Sequence, residues 1–198
     1  MRNWITRAET GTDIPTIRDI NLAAFGTPAE ADLVDALRAD PSWIEGLSLV
    51  TTAELGTGAH GIGEHGIGAH GTGEHGISAH DAAEHGTAVG HALLTRCHIG
   101  DVPALCLAPC AVLPAYQRTG AGSAAVRAAL DAARELGERH VVVLGHPDYY
   151  PRFGFTRASA HGIGLSIEVP DEALMALALD DGHPLPAGTV RYAAPFGI

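Results

Sequence analysis

The chain has 198 residues, 46% of them hydrophobic, and carries 12 Lys+Arg against 23 Asp+Glu for a formal net charge of −11. That much apolar material suits one α/β domain with a real core, and the lack of a basic footprint excludes a nucleic-acid binder. An acidic surface keeps a protein in solution and also suits a cationic amine substrate. The three cysteines, Cys97, Cys106 and Cys110, have no disulfide-framework spacing, and the Met1-Arg2-Asn3-Trp4 start has no apolar signal segment. The longest apolar run, near Ala104 to Leu113, is too short to span a bilayer. The expectation is a cytoplasmic protein with reduced thiols and no membrane partner.

Trp4 to Ala8 reads as a first strand. Thr12-Asp13 offers a helix cap, with Pro15 early in the helix where its missing N–H does no harm. Ile14, Ile17, Ile20 and Ala24 fall at helical spacing, so one face is buried. A second helix is predicted from about Pro28 to Arg38, with Leu33, Val34 and Leu37 as its apolar stripe, ended by Asp40-Pro41. Leu47 to Thr52 follows as a strand.

The character of the sequence then changes. From Ala59 a five-residue unit recurs, with His60, His65, His70, His75, His80 and His85 in strict register and Ala and Glu alternating ahead of them. No standard solenoid period fits. The glycine content argues against a helix, and there is too little apolar material for a core. The repeat occupies an insertion at about 56–87 between two strand-like runs, so it reads as the expanded tip of a surface hairpin. Imidazoles interspersed with Glu could instead hold Zn, Ni or Cu loosely, which would make a metal-buffering protein. The spacing is that of no defined metal site, and a metal is not expected to be required.

Ordinary composition returns with a strand over Thr87 to His98. Ala104 to Leu113 is the predicted central strand, in which Pro109 signals a bulge or a splayed edge. Cys106 and Cys110, four apart on this strand, share one face and read as two buried core thiols. A helix from Ser123 to Leu136 buries Val126, Ala129, Leu130, Ala133 and Leu136, with Gly137 as its C-cap. His140 to Gly145 is apolar on both faces, as an interior strand would be. A strand near Ile163 to Val169, a helix around Asp171 to Leu179 and a last strand near Thr189 to Tyr192 complete the expected order.

Between the central strand and the helix after it lies Leu113-Pro-Ala-Tyr-Gln-Arg-Thr-Gly-Ala-Gly-Ser123. Gly120 and Gly122 remove Cβ atoms where backbone N–H groups must come close to a ligand. The helix start adds unpaired donors and a positive dipole end. The product is an anion cradle suited to a pyrophosphate.

Two stretches together resemble the GNAT superfamily of acyl-CoA N-acyltransferases. Gln117-Arg118-Thr119-Gly120-Ala121-Gly122 is similar to its Gln/Arg-x-x-Gly-x-Gly/Ala pyrophosphate loop, and Tyr150-Pro151-Arg152-Phe153-Gly154-Phe155 to its Tyr-x-x-x-Gly-Phe element. Val141 to Phe155 and Val169 to Glu172 look like a bacterial subgroup of predicted N-acetyltransferases. The resemblance covers most of the chain outside about 56–87 and implies one domain over 1–198. It implies an α/β fold: a mixed, mostly antiparallel sheet flanked by helices, with two central strands, here Ala104–Leu113 and His140–Gly145, splayed to admit the pantetheine arm.

The resemblance further implies acetyl-CoA as co-substrate and acetyl transfer to a primary amine of a small molecule or protein, by direct attack in a ternary complex. Cofactor contacts are implied at Ala111, Val112, Leu113, Gln117, Arg118, Thr119, Gly120, Ala121, Gly122 and Ser123, with an oxyanion donor at the backbone N–H near Val112 or Leu113. Tyr150 occupies the family's general-acid position; packing on the sheet beside Phe153 and Phe155 is the alternative from residue type alone. Tyr149 reads as structural or substrate-facing. No base is evident: the central strand carries no carboxylate, and His91, His98, Asp101 and His146 are the candidates. The family's cofactor-contacting Asn before the tyrosine is replaced here by His146 and Asp148. The same fold would serve an acyl-CoA-binding module with little turnover, and it admits a homodimer.

Overall fold

The computed structural model describes residues 3–53 and 86–198. The histidine repeat lies outside them but for its last two residues, so neither the hairpin-tip nor the metal reading meets a structural observation.

The chain opens as expected with β1 (Trp4–Ala8), α1 (Ile14–Phe25), α2 (Ala29–Arg38) and β2 (Ser48–Ala53). Pro15 sits in the first turn of α1. Asp13, just ahead of α1, accepts from the two terminal guanidinium nitrogens of Arg7 at 2.6 and 2.8 Å and from the Thr10 amide at 2.7 Å, which fastens the helix start to β1. Ile17 and Ile20 of α1 and Val34 and Leu37 of α2 are buried against one face of the sheet, packed with Val50, Leu93 and Ala111. β3 (Ala88–Ile99) and β4 (Val102–Val112) form a long antiparallel hairpin. On the opposite face α3 (Ala121–Glu135) lays Ala125, Val126, Ala129, Leu130 and Ala133 over Leu94, Leu105, Leu107, Val141 and Val143.

The sheet order is β1-β2-β3-β4-β5-β8-β6, with β5 at His140–Leu144, β6 at Thr156–Arg157 and β8 at Leu174–Ala178. β7 (Ile163–Gly164) pairs with β9 (Gly188–Arg191), and β9 in turn pairs with the end of β3. All neighbours on the main path are antiparallel except β4 and β5, which run parallel and are paired only at Leu105↔Val141 and Cys106↔Val142. Beyond Cys106 the two strands part.

The expected bulge at Pro109 is present. Ala92 faces Cys110 and Leu94 faces Leu107, so two residues of β4, Ala108 and Pro109, oppose the single Leu93 of β3. This extra residue inverts the alternation of side chains along β4. Leu105 and Leu107 point to the α3 face and Cys106 to the other; after the bulge Cys110 packs on the α3 face and Ala111 on the α1/α2 face. Cys106 and Cys110 therefore lie on opposite faces, contrary to the reading from their spacing.

Other expectations change in the C-terminal third, where Leu136, expected in the buried stripe of α3, stands just past the end of that helix and is exposed. The segment expected as a helix around Asp171 to Leu179 is strand β8, because it fills the slot between β5 and β6 and pairs with both. The strand expected from Ile163 to Val169 shrinks to the two residues of β7.

Candidate active site

The parting of β4 and β5 opens a cleft of about 1110 Å³. Val112 and Cys110 line it from β4, Gln117, Arg118, Thr119, Gly120, Gly122 and Ser123 from the turn and first residues of α3, and His146, Asp148, Tyr149, Tyr150 and Arg152 from the segment after β5.

The turn is held by its own polar contacts. Trp4 donates its indole N–H to the Thr119 carbonyl at 3.2 Å, the Thr119 hydroxyl donates to the Tyr116 carbonyl at 2.5 Å, and the Gln117 amide reaches back to the Val112 carbonyl at 3.2 Å. Two residues adopt left-handed backbone here, Arg118 at φ 61° and Gly120 at φ 100°. Gly120 is the N-cap of α3 and offers no side chain to its end. The amides of Ala121, Gly122 and Ser123 thus have no acceptor within the helix and carry its positive dipole end. A Cβ on Gly122 would lie 3.1 Å from the Tyr149 hydroxyl and 3.2 Å from Val112 Cγ2, so the missing side chain keeps the niche open. Uncapped donors, a vacant Cβ position and the guanidinium groups of Arg118 and Arg152 fit a diphosphate.

The ladder hydrogen bonds of β4 distinguish the two N–H groups expected near the oxyanion. The Leu113 N–H is spent on the Val89 carbonyl at 2.9 Å. Gly90 and Val112 are directly opposed, one position before that bond. The alternation of an antiparallel ladder therefore turns the N–H of Val112 away from β3, toward the side that β5 has left. Of the two expected donors, Val112 is therefore the one whose N–H is not engaged with β3. The side chains of Ala111 and Leu113 lie on the α1/α2 side of the sheet, and that of Ala121 is buried, so these three can meet a cofactor only through backbone.

Tyr150 starts a short 3-10 turn, Tyr150–Phe153, ended by Gly154 at φ 95°. Its ring lies against the Cα of Gly145 and packs with Tyr149, Phe153 and Phe155 at centroid distances of 5.1, 6.4 and 5.8 Å. Burial pushes its phenol well above the ordinary value of 10, and the nearby Cys110, Tyr149 and Cys106 act in the same direction. The group is a proton donor throughout the neutral range.

Of the four residues considered as a base, only His146 lines the cleft. His91 is fully buried on the opposite face of the sheet, between Asn21 and Ser48. His98 and Asp101 sit at the other end of the β3–β4 hairpin, where Asp101 is fully exposed and pairs loosely with Arg191 at 3.5 Å. Two cleft residues escaped the sequence reading as site residues: Cys110, which the bulge rotates inward, and Arg152. For Arg152 the available signal was its place within the Tyr150 element. Among the described residues, no group of three or more His, Cys, Asp or Glu is placed to hold a metal ion, and no helix is long and apolar enough to cross a membrane.

The acetyltransferase (GNAT) family model matches residues 59–155. The solved structure of a GNAT family N-acetyltransferase (YhbS) from Escherichia coli in complex with CoA superposes with a TM-score of 0.76 at 24% identity, over 100% of this chain and 94% of that one. A GNAT family acetyltransferase from Brucella melitensis in complex with acetyl-CoA does so with a TM-score of 0.68 at 27% identity, over 99% of both chains. In sequence, the uncharacterized N-acetyltransferase YjhQ of Escherichia coli (strain K12) is 34% identical over 166 residues, 81% of this chain and 75% of that protein. Identity at that level over most of both proteins establishes that this chain belongs to the acetyltransferase (GNAT) family.

Proposed function

We propose that the chain transfers an acetyl group from acetyl-CoA to a primary amine of a small molecule or protein, by direct attack within a ternary complex. The observation that carries this reading is the end of β4–β5 pairing at Cys106↔Val142, with the glycine cradle and Tyr150 lining the one cleft that results. The solved relatives crystallised with CoA and with acetyl-CoA support the choice of co-substrate.

Acetyl-CoA supplies an acetyl group already activated as a thioester. The amides of Ala121 to Ser123, with Arg118 and Arg152, would bind its diphosphate, and the open edge of β4 would bind the amide-bearing arm. Holding the thioester between the strands contributes by removing translational freedom before reaction. The Val112 N–H would donate to the carbonyl oxygen as charge builds on it. Tyr150 Oη–H would protonate the departing thiolate, a contribution of ~10²–10⁴ in rate for a well-placed acid. The acceptor amine must arrive neutral; His146 and Asp148, exposed at the rim of the cleft, are the residues near enough to the opening to take its proton.

The test is release of free thiol from acetyl-CoA across a panel of amines, with acetylated product identified by mass. The chain contains no lysine, so its own side chains give no ε-acetyl background. Thiol release that depends on the amine, and that falls at least a hundredfold in Tyr150→Phe, is the expected result. Binding of CoA without thiol release on any amine would favour a binding module and overturn the proposal.

A further inference from the structure

Two tyrosines stand side by side in the cleft, and the mechanism uses only Tyr150. Given the acetyl-CoA reading, we propose that Tyr149 is a cofactor-binding residue: its hydroxyl donates to the diphosphate held at the first turn of α3, so that Tyr149 governs cofactor affinity while Tyr150 serves the thiol.

The Tyr149 ring is held from several sides. Its backbone N–H closes a turn on the His146 carbonyl at 3.0 Å. Tyr150 and Phe153 meet the ring edge-on at centroid distances of 5.1 and 5.4 Å. The Arg152 guanidinium lies 4.6 Å from the ring centre and is fixed by its Nε–H to the Tyr149 carbonyl at 2.8 Å and a second bond to the Asp148 carbonyl at 3.3 Å. These contacts aim the hydroxyl at the start of α3, where the Cβ absent from Gly122 would stand 3.1 Å away. The hydroxyl shares its niche with the uncapped amides.

Its only hydrogen-bond partner among the described residues is Ser123 Oγ at 3.4 Å, longer than a good O–H···O bond. Tyr149 lines the cleft, and so long a bond leaves its hydroxyl able to donate to a ligand bound there. A phenylalanine would make every ring contact equally well, so packing does not account for the oxygen. Burial also raises the phenol's pKa, so it remains a donor at neutral pH. An anionic acceptor beside the Arg152 charge is the partner this arrangement fits.

The test compares CoA with pantetheine, which lacks every phosphate. Calorimetric titration of wild type with CoA decides first whether the acetyl-CoA reading stands. Tyr149→Phe is then expected to weaken CoA binding about tenfold, the loss typical of a hydrogen bond to a charged group, and to raise KM for acetyl-CoA similarly. It should leave kcat at saturation and kcat/KM for S-acetylpantetheine within about twofold, as expected when a binding contact alone is removed. A merely structural tyrosine would lower both substrates' kcat/KM alike, and equal losses, or unchanged CoA affinity, would overturn the proposal. A crystal structure of wild type with CoA tests the contact independently of any variant. The Tyr149 hydroxyl should lie within about 3.2 Å of a phosphate oxygen; a hydroxyl turned to any other partner overturns it.

Discussion

Gly145 and Tyr150 are matched as socket and ring. A Cβ on Gly145 would overlap Tyr150 Cε2 and come within 3.1 Å of Cδ2 and 3.3 Å of Cζ. Gly145 does not have a left-handed backbone, so alanine is excluded there by the ring alone. Gly145→Ala should therefore displace Tyr150 from the cleft while leaving β5 paired. The expected outcome is a fall in kcat approaching that of Tyr150→Phe, of order ~10² or more, with a small change in melting temperature. In the double variant the second substitution should cost almost nothing further, since both remove one contribution. Additive losses would show that Gly145 acts other than through Tyr150.

The elevated pKa of Tyr150 fixes the shape of the pH profile. Burial raises the phenol above its ordinary value of 10, so the acid form persists through neutral and mildly alkaline pH. A primary amine with a pKa near ~10 becomes a better nucleophile over the same range. The rate should climb steadily to about pH 9 with no descending limb. A descending limb below pH 9 that disappears in Tyr150→Phe would contradict the environment described for this ring.

Much of this architecture was legible because local pattern and tertiary placement agree. β1, α1, α2 and the glycine turn carry their own periodicity, caps and turn residues, and the structure places them within a residue or two of expectation. The misread places are those where a distant partner decides. Leu174-Met-Ala-Leu-Ala178 is composed largely of good helix formers, yet it lies between two strands that need its ladder groups. The faces of Cys106 and Cys110 follow from spacing only if the strand is regular, and the bulge at Ala108-Pro109 breaks that count. Whether Leu113 or Val112 offers a free N–H depends on its register with Val89, which no local signal encodes.

The inversion of β4 at the bulge has a chemical readout in the three thiols. Cys97 and Cys106 are buried on the α1/α2 side, whereas Cys110 is half-buried and lines the cleft. Burial raises all three, Cys97 and Cys110 to about 12 and Cys106 well above its ordinary value. In the native protein iodoacetamide should modify Cys110 first, at least about a hundredfold more slowly than a free thiol at pH 7.5 because so little thiolate is present. CoA should slow it further, and all three should react rapidly in denaturant. Mass spectrometry of the peptides reads the order; earlier modification of Cys106 would mean that the two residues do not lie on opposite faces.

His91 links the buried polar interior to acid stability. Its Nε2 lies 3.0 Å from Ser48 Oγ, Ser48 donates to Glu9, and Glu9 accepts from Arg38 Nε at 3.0 Å. The Asn21 amide lies 3.3 Å from Nδ1. These partners suit a neutral imidazole protonated at Nε2. Complete burial, with the Arg38 charge adding to it, lowers the pKa from 6.5 to about 3. The unfolded chain therefore binds this proton more readily than the folded one, so folding stability is fully present above pH ~6.5 and is lost as the pH falls toward ~3. At pH 5 the loss from this residue amounts to ~2 kcal/mol. Denaturant melts from pH 7.5 to 5 should show that slope in wild type. His91→Gln is expected to lower stability at pH 7.5, because Ser48 and Asn21 lose their partner, and to flatten the slope between pH 7.5 and 5. An unchanged slope in His91→Gln would place the acid sensitivity elsewhere in the chain.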